Sequence, residues 1–102
     1  MNERYNGKPL LRLLELYVLD SIDHLSSHDS ELLQKMTPKL QSTYNIKGSW
    51  QEIIASVMKF PENMPEQINS VWKKNRDLAK ANGESLLPTD FAIMFVDQNF
   101  NN

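Results

Sequence analysis

The chain has 102 residues, of which 40% are hydrophobic and 24% are charged, and its formal net charge is −2. This length and composition predict one domain with a single core, residues 1–102, and exclude a low-complexity or disordered chain. The absence of cysteine excludes a disulfide framework and a thiolate metal site, and the weakly acidic balance argues against direct binding of nucleic acid.

The amino-terminal part of the sequence lacks the pattern of a secretory signal peptide. Its apolar run from Leu10 to Leu19 is interrupted by Arg12 and Glu15, so we expect neither a secretory signal peptide nor a membrane span. Together with the missing cysteines, this predicts a cytoplasmic protein that does not associate with a membrane.

The first predicted helix follows Pro9, a residue suited to a first helical turn, and has the sequence LLRLLELYVLDSIDHL. One apolar face comprises Leu10, Leu14, Tyr17, Val18, Ile22 and Leu25. Leu16 and Leu19 project toward the other side, so the helix is either central or has a second surface for a partner.

A second helix, SELLQKM, can be capped by Ser26, Ser27 or Asp29. Thr37-Pro38 then predicts a restart or a kink, because proline cannot supply the helical N–H. A turn is expected over residues 45–48.

The stretch SWQEIIASVMKF, residues 49–60, predicts a short buried helix around which the others pack. Ser49 and Glu52 have the spacing of a capping box, and Pro61 ends the helix. The apolar stripe expected to be buried contains Trp50, Ile53, Ile54, Val57 and Met58.

Two more helices complete the expected fold. Pro65 opens a long helix that Asn82-Gly83 can end, and Pro88 begins a last helix whose Phe91, Met94 and Phe95 should cover the core. Since no alternating apolar pattern predicts a strand, we expect an all-α, compact single-domain bundle of five or six short helices.

No pattern predicts catalysis, a cofactor or a metal. His24 and His28 are four residues apart, which could hold a metal on one helix face, but a helix end expected at Ser26-Ser27 lies between them. Gly-rich phosphate loops and nucleophile motifs are missing from the sequence. We therefore expect neither an enzyme nor a bound cofactor.

The strongest charge feature is an interval from Arg12 to Lys35 that contains no lysine or arginine between these two residues. Five acids without a counter-charge should create a negative field that steers and holds a basic protein partner. On an ideal helix Asp20 and Asp23 flank Leu16, an arrangement typical of an apolar anchor with a charged rim. The residues predicted to bind the partner are Glu15, Leu16, Leu19, Asp20, Asp23, Asp29 and Glu31. The last helix, with Asp90, Met94, Asp97 and Phe100, is the next candidate.

Three stretches, NGKPLLRLLELYVL, SWQEIIASVMKFPENMPEQI and FAIMFVDQNF, together resemble small bacterial immunity proteins, in particular those of contact-dependent growth inhibition systems. The resemblance covers most of the chain and rests on overall pattern. It implies a stoichiometric inhibitor that binds and neutralises a cognate toxin domain, commonly a nuclease, in the cytoplasm. Two alternatives stay open: a helical adaptor or regulatory subunit, including a homodimer through Leu16 and Leu19, and an enzyme that uses the region of His24 and His28.

Overall fold

The structure is a computed structural model that describes residues 9–100. These residues form five α-helices: α1 Pro9–Ser21, α2 Ser27–Tyr44, α3 Trp50–Met58, α4 Met64–Ala81 and α5 Pro88–Phe100. No strand occurs within residues 9–100, so the predicted all-α bundle is confirmed. The expected domain also included residues 1–8 and 101–102, which lie outside the described range.

Helix α1 occupies the centre of the bundle. It packs against α3, α4 and α5, and every residue from 11 to 19 except Arg12 is buried. A central α1 was one of the two predictions for this helix, and it is confirmed. The expectation that the other helices pack around α3 is wrong. With nine residues, α3 is only about 13 Å long, and its main contacts are with α2 and α1.

The start of α3 follows the sequence prediction in detail. The Ser49 hydroxyl accepts the backbone N–H of Glu52 at 3.1 Å, and the Ser49 N–H donates to Oε1 of Glu52 at 3.0 Å. This is the complete capping box. Trp50, Ile53 and Ile54 are buried, whereas Val57, in the last turn, is only half-buried.

Helix α2 is a single helix that continues through Pro38. Of the two outcomes predicted at Thr37-Pro38, a restart or a kink, the restart does not occur. Its N-cap is Ser26, whose hydroxyl accepts the N–H of Asp29. Leu33 and Leu40 are buried on either side of Pro38. Burial of these two leucines offsets the cost of about 3 kcal/mol that proline imposes on a helix interior.

Four of the helices end in the same way, with one residue in the left-handed backbone region. These residues are Asp23, Asn45, Lys59 and Gly83, with φ between 55° and 75°. At α1 the N–H of His24 reaches the carbonyl of Leu19, the long bond of a Schellman motif. Helix α1 therefore ends at Ser21, four residues before the predicted Leu25, and the chain turns sharply into α2.

Helices α4 and α5 cover α1 with aromatic side chains. Phe91 and Phe95 are buried as predicted, Met94 is half-buried, and the ring of Phe91 lies 5.3 Å from that of Trp72. None of the described helices has both the length and the apolar character that crossing a bilayer requires.

Candidate functional site

Arg12, which begins the acidic interval, supplies a counter-charge to two of its acids. Its Nη1 lies 3.6 Å from Oε1 of Glu15, and its Nη2 lies 3.8 Å from Oδ2 of Asp29. The expectation of acids without a counter-charge is therefore wrong for Glu15 and Asp29. Within residues 9–100, Asp20, Asp23 and Glu31 form no ion pair. Arg12 is one helical turn before Glu15, and α2 folds back so that Asp29 reaches the same guanidinium.

The apolar anchor expected on α1 is not at the surface. Leu16 and Leu19 are 4% and 5% exposed, and Glu15, the residue before Leu16, is 1% exposed. Leu16 faces a groove whose opposite wall is formed by Leu32 and Met36 of α2. Because the chain's own helices cover both sides of α1, these three residues do not form an exposed contact surface. For the same reason, Leu16 and Leu19 are not accessible to form the contact of a homodimer.

The other predicted residues lie nearer to solvent. Asp20, Asp23 and Glu31 are exposed, and Asp29 is half-buried. Asp20 accepts a hydrogen bond from Nε2 of Gln51 at 3.4 Å, whereas the side chains of Asp23 and Glu31 form no hydrogen bond or ion pair with residues 9–100. Leu16 and Asp29 line the groove between α1 and α2, whereas Asp20 is connected through Gln51 to a second concave surface.

That surface is a groove of about 330 Å³ between α1, α3 and the segment that leads into α4. We call it the Tyr17 groove. It is lined by Tyr17, Gln51, Glu52, Ala55, Ser56, Phe60, Pro61, Glu62 and Pro65. None of these nine residues is basic, and most of the surface between the carboxylates is apolar.

The end of α3 builds the floor of the Tyr17 groove. Lys59 takes a left-handed conformation, and the N–H of Phe60 donates to the carbonyl of Ala55 at 2.9 Å. This turn brings the ring of Phe60 to 5.3 Å from the ring of Tyr17. Pro61 then prevents the helix from continuing, since it has no N–H to donate. The floor is consequently an aromatic pair, with Tyr17 held by α1 and Phe60 held by the turn that follows α3.

Negative charge surrounds the hydroxyl of Tyr17. Burial raises the pKa of Tyr17 above its ordinary value of 10.0, and the charges of Asp20 and Glu66 raise it further. Together with Glu52 and Glu62, which line the groove, these residues form what we call the acidic rim: Asp20, Glu52, Glu62 and Glu66. Within residues 9–100, no ion pair engages any carboxylate of the acidic rim.

The carboxylate of Glu52 is charged well below neutral pH. Its hydrogen bond from the backbone of Ser49 lowers the pKa below the ordinary 4.5, and its interaction with the Ser49 side chain lowers it further. The capping box thus stabilises the start of α3 and also keeps one member of the acidic rim ionised.

The histidines do not assemble a metal site in the described part of the chain. The imidazole of His24 lies with its edge toward Trp72, with ring centroids 5.6 Å apart and planes at 67°. His28 is in the first turn of α2, beyond the Ser26 cap. Among residues 9–100, no three histidine, aspartate or glutamate side chains are grouped closely enough to bind a metal ion.

The alternative surface on α5 is only partly open. Phe100 lies 5.7 Å from Phe60 and 6.3 Å from Phe95 between ring centroids, so it belongs to the aromatic packing. Asp90 is exposed, whereas Met94 and Asp97 are half-buried. Helix α5 therefore presents less accessible surface than the sequence suggested.

Sequence reasoning missed most of the Tyr17 groove. Glu62 and Glu66 each follow a proline, at positions 61 and 65, and this acidic segment was interpreted only as the loop that leads into the helix opened by Pro65. Its composition was the one signal in the sequence that could have pointed to it. Comparisons of the chain with protein-family models, curated proteins and solved structures found no significant match.

Proposed function

We propose that this protein is a stoichiometric inhibitor of the immunity type, which binds a basic surface of a cognate toxin domain in the cytoplasm. The observation that carries the proposal is the acidic rim around the Tyr17 groove. In this view the protein has no catalytic step of its own, and it neutralises the toxin by covering a surface that the toxin needs.

The chemistry of the groove suits such a partner. A nuclease presents lysine and arginine side chains to the phosphates of its substrate. Four carboxylates without an ion-pair partner in residues 9–100 complement that charge and steer association. The aromatic floor supplies apolar area that becomes buried on contact, as in the centre of a protein interface.

The resemblance of the sequence to immunity proteins points to the same class of partner. It also gives the first experiment: if the gene immediately upstream encodes a large secreted protein with a variable C-terminal domain, that domain is co-expressed with this protein. Rescue of growth in cells that express both proteins supports the proposal. Continued killing at equal expression would overturn it.

A charge-reversal variant tests whether the acidic rim makes the contact. Asp20→Lys with Glu66→Lys places two cations beside Tyr17, so association with the toxin should slow and protection should fall. Glu84→Lys serves as the control, because Glu84 is exposed and lies beyond the end of α4 opposite to Glu66. It should protect like the wild type.

Salt provides an independent measurement of the same contact. Raising the ionic strength shortens the distance over which exposed charges attract each other, so the wild-type association rate should fall as salt is added. The rate of the double variant should respond much less. A double variant that associates at the wild-type rate in low salt would place the interface on another face, where exposed Asp23 and Glu31 are the remaining predicted residues.

A further inference from the structure

We infer that the Tyr17 groove receives an arginine side chain of the partner. The identity of that partner as a toxin rests on the proposed function, but the chemistry of the occupant follows from the groove itself. Three features support it: the size of the groove, its aromatic floor and its acidic rim.

The size of the groove fits one long side chain and its neighbouring backbone. Its volume of about 330 Å³ is near the lower end of the roughly 300–1,000 Å³ found for ligand pockets. On the α3 side the groove is lined by the small side chains of Ala55 and Ser56, and Ser56 is exposed. An extended side chain can therefore enter from the α3 side without displacing an element of the fold.

The floor favours a planar cation. The rings of Tyr17 and Phe60 lie 5.3 Å apart at an angle of 49°, and both residues line the groove. Tyr17 is 5% exposed and Phe60 is half-buried, so Phe60 offers more of its ring surface to an occupant. A guanidinium group stacks on aromatic faces and is less strongly hydrated than an ammonium group. This distinguishes arginine from lysine as the occupant.

The rim favours the same group. Glu52 and Glu62 line the groove from opposite sides of the Phe60 turn, and Asp20 and Glu66 act on the hydroxyl of Tyr17. Carboxylates bind the five N–H donors of a guanidinium in a fixed fork geometry. Gln51, whose amide nitrogen donates to Asp20, adds a carbonyl oxygen as a further acceptor on the groove wall. An anionic or purely apolar occupant would leave this negative charge uncompensated.

The first test uses short peptides on the full-length protein. Amide chemical shifts are followed by NMR during titration with Gly-Arg-Gly, Gly-Lys-Gly and Gly-citrulline-Gly, all capped at both ends. Citrulline is the matched control, because it keeps the shape of arginine and removes the charge. We expect saturable shifts at Ala55, Ser56 and Phe60 with the arginine peptide at about millimolar concentration, weaker shifts with lysine and none with citrulline. Equal response to arginine and citrulline, or shifts confined to another face, would overturn the inference.

A pair of serine variants tests the location. Ser56→Lys places a cation in the groove that competes with the peptide, whereas Ser42→Lys makes the same change at an exposed position of α2. Shifts with the arginine peptide should disappear in Ser56→Lys and persist in Ser42→Lys, with unchanged helix content in both. Persistence of the shifts in Ser56→Lys would overturn the inference. Self-association of the protein that Ser56→Lys abolishes would do the same, because it would assign the groove to a second copy.

The outcomes separate the two proposals. Growth protection by the wild type without arginine binding removes the arginine inference and leaves the inhibitor function standing. Arginine binding without protection against the upstream toxin removes the inhibitor function and leaves the ligand class of the groove standing.

Discussion

The ring of Tyr17, on the central helix, lies 5.3 Å from the ring of Phe60, which follows the end of α3. This contact joins two parts of the chain that are 43 residues apart in sequence. The Tyr17 hydroxyl is close enough to two carboxylates, Asp20 and Glu66, for their charges to raise its pKa. The pKa of Tyr17 is consequently raised first by burial and then by the charges of these two carboxylates.

We expect one of the three tyrosines to ionise above the ordinary value of 10.0. Because the pKa of Tyr17 is raised in the folded protein, its contribution to stability is complete below pH 10 and is lost as the pH rises through the folded pKa. An alkaline titration followed by ultraviolet absorbance should show this late phase. Tyr17→Phe should remove it and Tyr44→Phe should keep it. A late phase that survives in Tyr17→Phe would contradict the assignment.

Ile54 is expected to contribute strongly to the core, since it is 1% exposed. Ile54→Ala should lower the free energy of unfolding by about 2–5 kcal/mol, the range for deleting a large buried side chain. Denaturant unfolding measures this directly. Val57→Ala, at a half-buried position of the same helix, should have a clearly smaller effect. A loss below about 0.5 kcal/mol for Ile54→Ala would mean that the site is not part of the core.

Lys59 is the only lysine of residues 9–100 in the left-handed backbone region, with φ of 57°. Since a residue with a Cβ atom is disfavoured there, Lys59→Gly should raise the free energy of unfolding by up to about 1 kcal/mol. The matched change Lys74→Gly, in the middle of α4, should lower it by about 1 kcal/mol. Thermal or denaturant unfolding of both variants checks the prediction. A destabilised Lys59→Gly would show that the lysine side chain makes a favourable contribution at this turn.

The capping box should give stability that depends on acid pH. The folded pKa of Glu52 lies below its ordinary 4.5, so its contribution is present above pH 4.5 and is lost as the pH falls through the folded pKa. Glu52→Gln removes that titration. The stability advantage of the wild type over Glu52→Gln should therefore be constant near neutral pH and shrink in acid. An advantage that stays constant down to strongly acidic pH would contradict the role of the Glu52 charge.

The sequence determined the features that depend on neighbours within a few residues. The Ser49–Glu52 capping box, the end of α4 at Asn82-Gly83 and the start of α5 at Pro88 all appear as predicted. Local hydrogen bonds and helical periodicity fix these features, and both can be counted along the chain.

The tertiary structure decided which faces of the helices remain accessible. Leu16 and Leu19 were expected at the surface, but packing of the chain's own helices buries them, and Arg12 reaches both Glu15 and Asp29. The groove depends on contacts such as that of Asp20 with Gln51, which are 31 residues apart. Burial and charge pairing follow from which distant segment folds back onto a helix. Periodicity within one helix carries no information about that segment, so the candidate site emerged only from the packed bundle.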